Sequence, residues 1–375
     1  MMSQQTKVKI AVVGAGFGSQ FYFHLHPNCE VVAVADESAA GRSILQNIYS
    51  CNLAYGSLTD LLANRNVEAV AIFTPAPYHA AHSIEALEAG KHVLCAVPVG
   101  MTVDECRAVK YAAERTGLIY MMAETSVFRQ DTISSRQFYE AGEFGKLIAA
   151  EASYHHPGLE KYFFDHQGRP TWRHGLPPML YSTHCTSFLL AVTQDVITSV
   201  SCVGWGDDDP ILKNNAFNNP FWNQTALFQT SHQTAFKVNI SWKGALMPTD
   251  RCEWHGEKMS FYSKDPKGIP SSIVRLTDVD TVDDAGFLTS DPQLEVYQQP
   301  IWWVTDMLPS ELRIESGHDG SHTFITHEFI QAIKDDRSPF PDIRQSINYT
   351  IPGILAHESS LRGGECLAIP RYEDL

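Results

Sequence analysis

The sequence predicts an α/β protein: a doubly wound parallel sheet at the amino terminus, followed by a second α/β domain with a mainly antiparallel sheet. Three observations carry this. Over the first third of the 375 residues, apolar runs of strand length alternate with helical segments, as parallel strands joined by crossover helices require. A glycine-rich turn, Gly14-Ala15-Gly16-Phe17-Gly18, directly follows the first apolar run. Beyond about Phe128 the pattern changes to short stretches rich in tryptophan and β-branched residues, divided by turn glycines, which fits antiparallel strands. The expected domains are 1–126 and 127–375, with the carboxy-terminal helix free to pack back on the first.

Taken in order, Val8 to Val13 reads as a strand buried on both faces. Gly14, Gly16 and Gly18 let the backbone turn sharply and approach a pyrophosphate. The helix expected next supplies free N–H groups and the positive end of its dipole. The pattern is G-x-G-x-G, with Ser19 where a third fingerprint glycine or alanine is usual. The run "CEVVAVADES" ends in Asp36, placed to accept the adenosine ribose hydroxyls and to repel a 2′-phosphate, which favours NAD over NADP. Arg42 is close enough in sequence to support a phosphate instead. Strand, turn, helix, strand and acid in that order make the Rossmann dinucleotide-binding pattern.

The alternation continues. Glu68 to Thr74 reads as a strand, Pro75 opens a loop, and "HAAHSIEALEAG" reads as a helix closed by Gly90. "KHVLCAVP" is the next strand. Thr102 and Glu105 form a capping box for a helix that closes at Gly117. "LIYMMAETS" is a strand ending near Glu124. Ligands of such sheets bind at the carboxyl ends of the strands. That rule gathers Gly14, Gly16, Phe17, Gly18, Asp36, Thr74, Pro75, His79 and Pro98 as candidate cofactor-binding residues, with Val97 and Glu124 on the same rim.

In the second domain, "QDTISSRQFYEAGEFGKL" reads as a helix ending near Gly142. "IAAEASYHHPG", "ITSVSCVGWG", "NQTALFQTS", "AFKVNISWKG", "RCEWHG" and "KMSFYS" read as strands. "SHTFITHEFIQAIKDD" and "INYTIPGILAHESSLRGG" read as helices; Ser321 is the expected cap of the first, and the second starts or bends at Pro352. Residues 265–300 read as an irregular, Asp-rich surface excursion. Trp222 and Asn223 read as a turn before a strand.

Composition excludes several classes of function. A formal net charge of -15 and a pI near 5.5 argue against a nucleic-acid partner. No apolar run approaches the roughly 18 residues of a membrane span, and the amino-terminal run is too short for a signal peptide. The cysteines are scattered, without a C-x-x-C pair, which points to reduced thiols and a cytoplasmic protein rather than to zinc or a disulfide framework.

The stretches "AVVGAGFGSQF", "FTPAPYHAAHSIEALEAGKHVLCAVPVG" and "GILAHESSLRGGE" resemble the Gfo/Idh/MocA oxidoreductase family. The resemblance implies an NAD(P)-binding domain and a carboxy-terminal α/β domain whose open-faced sheet carries the substrate pocket. It also implies a sugar-like or cyclitol substrate and a homodimer or homotetramer. One departure stands out: where typical members read Glu-Lys-Pro, with a lysine that bonds the reacting carbinol, this chain reads Ala96-Val97-Pro98. Val97 cannot donate, accept or carry charge.

The resemblance also supplies replacement candidates. Many members place a histidine near His184, facing the nicotinamide, and Tyr181-Ser182-Thr183-His184 resembles the NAD-dependent glycoside hydrolases of the wider family. Glu124 resembles the glutamate at their strand end. Chemically, His184 titrates in the right range for proton transfer, and Tyr181 is a phenolic acid/base if a cation favours its ionised form. The bland alternative is a core histidine beside a packing aromatic. Further along, "YHHPGLEKYFFDHQGRPTWRH" and "SGHDGSH" offer His155, His156, Trp172, Arg173 and His322 as substrate residues, Trp172 by stacking on a sugar face. The irregular spacing of these histidines argues against a metal.

Three functions fit. In the first, an NAD-dependent dehydrogenase takes hydride from a ring carbinol of a sugar or glycoside, at C3. In the second, a redox-neutral glycoside hydrolase oxidises C3 transiently, eliminates the aglycone, adds water and re-reduces. In the third, a sensor of NAD or sugar has lost catalysis along with the lysine.

Overall fold

The structure, a computed structural model, describes residues 7–276, 281–289 and 292–375. The strands in chain order are β1 Val8–Val13, β2 Cys29–Ala35, β3 Ala54–Tyr55, β4 Ala69–Ile72, β5 His92–Cys95, β6 Tyr120–Met122, β7 Leu147–His155, β8 Ile197–Trp205 and β9 Asn223–Thr230. They continue with β10 Ala235–Ser241, β11 Thr249–Gly256, β12 Met259–Tyr262, β13 Ser272–Arg275, β14 Thr281–Val282, β15 Leu288–Thr289, β16 Gln293–Val296 and β17 Leu367–Ala368. The helices are α1 Ala15–Gly18, α2 Ala39–Tyr49, α3 Leu58–Leu62, α4 His79–Glu88, α5 Val103–Thr116, α6 Gln130–Glu140, α7 Thr183–Thr193, α8 Ser321–Asp335 and α9 Ile343–Leu361.

The chain divides into two compact units. Unit 1 comprises residues 1–130, 301–354 and 372–375; unit 2 comprises residues 131–300 and 355–371. Helix α9 contributes to both.

Unit 1 holds a six-stranded sheet in the order β3-β2-β1-β4-β5-β6, with every pair parallel. Its central strands are apolar on both faces, as helices on either side demand: β4 is buried throughout, and β1 at every residue but Lys9. The capping box of α5 is formed as the sequence predicts. The Thr102 side chain accepts from the Glu105 N–H, Glu105 reaches back to the cap backbone, and Gly117 closes the helix at φ 66°. Within this unit α9 meets the sheet through Thr350, whose hydroxyl accepts from the Val99 N–H at 3.4 Å.

Unit 2 is built on a nine-stranded sheet in the order β16-β13-β12-β11-β7-β10-β9-β8-β17. All its pairings are antiparallel except that of β7 with β10. One face is apolar and packs on α7, which lies against β7 and β11. The other carries residues such as Glu151, Lys237 and Leu227, paired across neighbouring strands and solvent-exposed. Trp254 anchors the covered face. It is wholly buried, stacks on Phe261 at 5.7 Å and donates its indole N–H to the Phe188 carbonyl of α7 at 3.2 Å.

Three details differ from the sequence expectation. Helix α1 is only 4 residues long, because two of them are glycine and the chain then dives inward with Phe21 and Phe23, both wholly buried. Ser321 does not cap α8: it is the first helical residue, Gly320 occupies the cap, and the serine hydroxyl donates to the His318 carbonyl instead. The stretch 265–300 is not irregular in its described part, where β13 and β16 extend the large sheet and β14 pairs with β15; residues 277–280 and 290–291 lie outside the described residues. Short strands set among Asp- and Thr-rich connectors gave too little alternation to be read.

Replacing Trp254 by Ala removes a wholly buried ring and its hydrogen bond. We expect a loss of about 3–5 kcal/mol, read as a lower urea midpoint with near-ultraviolet circular dichroism of unit 2 as the probe. A loss below about 1 kcal/mol would contradict this account of the anchor.

Candidate functional site

The glycines of the first turn have separate tasks. Gly14 lies at φ 94°, and a Cβ there would sit 2.5 Å from the Phe73 carbonyl oxygen, so no other residue fits. A Cβ on Gly16 would meet nothing within 4 Å; its backbone borders open space. A Cβ on Gly18 would sit 2.8 Å from the Phe73 ring and 3.1 Å from Val12. Gly18 therefore makes the close contact with the sheet that the fingerprint assigns to a third glycine, while Ser19 simply ends α1. Phe17 is half-buried, with its ring edge-on to Phe21 at 5.0 Å and to Phe73 at 5.7 Å.

Asp36 follows β2 and is held in place from several directions. One carboxylate oxygen accepts from the Ala15 N–H at 2.8 Å, the other from the N–H and hydroxyl of Ser38, each at 2.8 Å. Burial works to raise its pKa, but these donors and the Arg42 charge outweigh it and hold the carboxyl below its ordinary value. Arg42 is turned to the backbone, donating to the carbonyls of Asp36 at 2.8 Å and Glu37 at 3.0 Å. Gly41, which sequence reasoning passed over, makes room for this carboxylate: a Cβ there would lie 2.3 Å from it.

The remaining strand ends add polar groups. The Thr74 hydroxyl lies 2.9 Å from His82 Nδ1, and Pro75 beside it is exposed. His79 is buried, with Nε2 at 2.8 Å from the Thr74 carbonyl and Nδ1 at 2.9 Å from the Pro98 carbonyl. Burial pulls its pKa down against these two carbonyls, and the neutral ring donates its single N–H to one of them. His79 thus packs between the end of β4 and the end of β5, where Ala96 is buried and Val97 half-buried. Glu124 is wholly buried and accepts from the Ser126 N–H at 2.9 Å, capping the turn after β6. The groove between α4 and α5, lined by Ile84, Glu88, Tyr111 and Arg115, lies on helix flanks and contains none of these residues.

In unit 2 the expected pair is brought together. Tyr181 ends a 3₁₀ turn, Pro178–Tyr181, and His184 sits in the first turn of α7. Their rings are 5.8 Å apart. Tyr154, at the end of β7, completes the cluster: its ring stacks on His184 at 4.8 Å and lies 6.2 Å from Tyr181. Trp242 backs both tyrosines edge-on, at 6.0 and 5.5 Å. Gln224 sets the turn that carries Tyr181. Wholly buried, it accepts from the Met179 N–H at 2.9 Å and donates to Ser360 at 2.6 Å, with His357 Nδ1 at 3.1 Å.

The other sequence candidates separate. His156 approaches Tyr154 at 6.3 Å. His155 pairs in register with Thr249 and Ser241 and points to the opposite face from Tyr154; burial lowers its pKa. The Arg173 guanidinium covers the Trp172 ring at 4.2 Å. His322 belongs to unit 1, is wholly buried and stacks on Phe21 at 4.7 Å; burial depresses its pKa to about 4. Among the described residues no group of three or more His, Cys, Asp and Glu side chains is arranged to hold a metal ion, and no helix is long and apolar enough to cross a membrane.

Residues 8–124 match the model of an oxidoreductase family with an NAD-binding Rossmann fold. This part of the chain is similar to the Gfo/Idh/MocA oxidoreductases. The rest of the molecule follows that fold. A myo-inositol 2-dehydrogenase from Lactobacillus plantarum superposes with a TM-score of 0.73 at 16% identity, covering 97% of this chain and 100% of that one. A levoglucosan dehydrogenase in complex with NADH and levoglucosan gives 0.76 at 16% identity, covering 98% and 100%. At such identities the likeness is one of fold. Among curated relatives, a glycosyl hydrolase family 109 protein of Solibacter usitatus is 23% identical over 84% of this chain and 73% of its own length. One of Shewanella baltica is 32% identical over 47% of this chain, which spans 43% of that relative.

The glycine turn of this chain fits NAD on its own geometry. The open space at Gly16 leaves the backbone accessible to a pyrophosphate. The Asp36 carboxylate follows the second strand, where the dinucleotide fingerprint expects an acid for the ribose hydroxyls, and Arg42 gives one guanidinium nitrogen to the carbonyls of Asp36 and Glu37.

Gly16→Val fills that open space without touching the protein. We expect an unchanged unfolding temperature and a loss of NAD affinity of at least about 100-fold by calorimetry, roughly the 3 kcal/mol of a buried steric conflict. Retained affinity would place the pyrophosphate elsewhere.

Proposed function

We propose that this protein is an NAD-dependent oxidoreductase acting on a sugar or glycoside, with the dinucleotide held by unit 1 and the carbohydrate by unit 2. NAD, when bound, supplies a hydride acceptor for a ring carbinol, C3 in this reading. The chain's own residues provide orientation and proton management. The observation that carries the reading is the cluster of Tyr154, Tyr181 and His184, with ring centroids 4.8 to 6.2 Å apart, in a chain whose residue 97 is valine.

In this scheme His184 takes the hydroxyl proton of the carbinol. Its placement on α7 and its stacking on Tyr154 fix the ring plane, so a bound hydroxyl meets one defined nitrogen. Tyr181 donates a hydrogen bond to a second substrate oxygen, held by the turn that Gln224 supports. The subunit acts in the cytoplasm with reduced cysteines, and self-associates as a dimer or tetramer through the uncovered face of its large sheet.

A second reading is redox-neutral glycoside hydrolysis. It is favoured by the names of the curated relatives and by the number of acid/base side chains. After oxidation at C3 a base removes the acidified C2 proton, the aglycone leaves with a proton from an acid, water adds to the resulting alkene, and the hydride returns to C3, so no net oxidation remains. That sequence needs both an acid and a base, which Tyr154, Tyr181 and His184 supply together.

Incubation with aryl glycosides and free sugars separates the readings when NADH absorbance and released aglycone are followed together. Stoichiometric NADH with the glycosidic bond intact supports the dehydrogenase. Aglycone release without NADH, with solvent deuterium at C2, supports the hydrolase. Neither signal, with sugar binding intact, leaves a sensor.

For whichever activity is found, His184→Ala should lower kcat by about 10² to 10⁴ while NAD affinity stays within about twofold. A variant with kcat within about threefold of wild type removes His184 from the proton path.

A further inference from the structure

The dinucleotide turn of this chain lacks its usual support. In such domains the turn runs into a long helix that fixes it, but here α1 ends at Gly18 and the only regular structure before β2 is a 3₁₀ turn, Phe23–Leu25. Within unit 1, α8 grips this segment instead, at three points. His322 Nδ1 lies 3.1 Å from the Gln20 carbonyl oxygen. The Thr326 hydroxyl donates to the Phe21 carbonyl. His327 Nδ1 lies 3.0 Å from His26 Nε2. His322 and Thr326, four apart, share one helix face, and His327, next along, makes the third contact. The His322 ring also stacks on Phe21 and meets the edge of Phe17 at 5.3 Å.

The partners dictate where the protons are. A carbonyl only accepts, so His322 carries its hydrogen on Nδ1; its Nε2 then accepts from His318 Nδ1, 2.8 Å away. The Asn28 N–H donates to His26 Nδ1 at 3.1 Å, so His26 donates from Nε2 to His327 Nδ1. His26 and His327 work only when neutral: a second proton on either would point at a donor.

We propose that His322, Thr326 and His327 are positioning residues for the dinucleotide turn, acting as a latch of neutral histidines that holds Phe17 and Gly18 in the geometry that receives the pyrophosphate. The proposal rests on NAD binding by unit 1. The surroundings keep the latched rings neutral. For His26, burial dominates, the nearby His327 adds to it and Glu311 opposes it, leaving a pKa of about 3. For His322, burial prevails over the Gln20 carbonyl. For His327, burial prevails; Arg337 adds to it, and Glu328 and Asp335 oppose it.

A histidine released from the latch regains an ordinary pKa of about 6.5. Opening is therefore independent of pH above that value. Below it, opening takes up protons, and each released histidine makes opening up to about tenfold more favourable per pH unit. The gain ends near the depressed pKa values of the closed state.

The test uses the full chain and three variants. His327→Ala deletes the acceptor for His26. His327→Asn keeps an acceptor, its side-chain oxygen standing in for Nδ1, but cannot titrate. Thr326→Val deletes a single hydroxyl and serves if His327→Ala does not fold. Hydrogen exchange of residues 16–26 without NAD reads the latch itself; calorimetry with NAD at pH 7.5 and 5.5 reads its effect. His327→Ala and Thr326→Val should speed exchange in that segment and weaken NAD binding about tenfold, the loss of one buried hydrogen bond. His327→Asn should restore both at pH 7.5 and flatten the acid dependence of exchange relative to wild type. Unchanged exchange in Thr326→Val and His327→Ala, or an acid dependence in His327→Asn equal to wild type, overturns the latch. Wild-type protein that binds no NAD at either pH overturns the NAD reading instead, and the exchange experiment still decides the latch.

Discussion

The carbonyl oxygen of Phe73 lies where a side chain on residue 14 would begin, 2.5 Å from the position of that absent Cβ. Much of unit 1 is arranged around this one close approach. It lets the backbone leave β1 directly over the end of β4, turning the Gly14 N–H to the Ala35 carbonyl and the Ala15 N–H to the Asp36 carboxylate. Asp36 is thereby anchored at one oxygen by the turn and at the other by Ser38. Its negative charge is fixed before any ligand arrives, so little reorganisation accompanies binding. The same approach places Phe73 under Gly18 and against Phe21, at 4.4 Å between ring centroids. The aromatic layer so formed, rather than a long helix, carries the turn.

Unit 2 solves a different problem with similar means. A lysine is a strongly hydrated point charge, costly to hold away from water. Two phenols beside an imidazole, one stacked and one tilted, bury apolar ring surface and still offer donors and acceptors at their edges. The His184 side chain is 7% exposed, which a neutral ring tolerates far better than an ammonium would.

What the sequence made legible is whatever depends on neighbours in the chain. The strand-turn-strand-acid order of residues 8–36, the capping box of α5 and the longer strands of the large sheet, β7 to β11, all follow from local periodicity and turn chemistry. So did the pairing of Tyr181 with His184, three residues apart. Residues whose meaning comes from distant partners were not visible. Tyr154 reads as one more strand aromatic beside two histidines that draw the eye, and only its approach to α7 reveals it. His322 reads as a substrate residue, yet it is wholly buried and stacks on Phe21, some three hundred positions earlier. Gly41 has no signal until the carboxylate beside it is known.

The β7–β10 pairing has a consequence for how unit 2 comes into being. The other pairings of the sheet are antiparallel, but these two strands run the same way, and the chain from His155 to Ala235 must return before they meet. Strands β8 and β9, made within that interval, join β10 on its far side; β11 and β12 join β7 on the other. Strand β7 therefore waits for both of its neighbours, β10 and then β11, and pairing it carries the entropy of closing a long loop. Until then β7 and the β10 edge stay open, and a nascent chain is exposed to association with its neighbours.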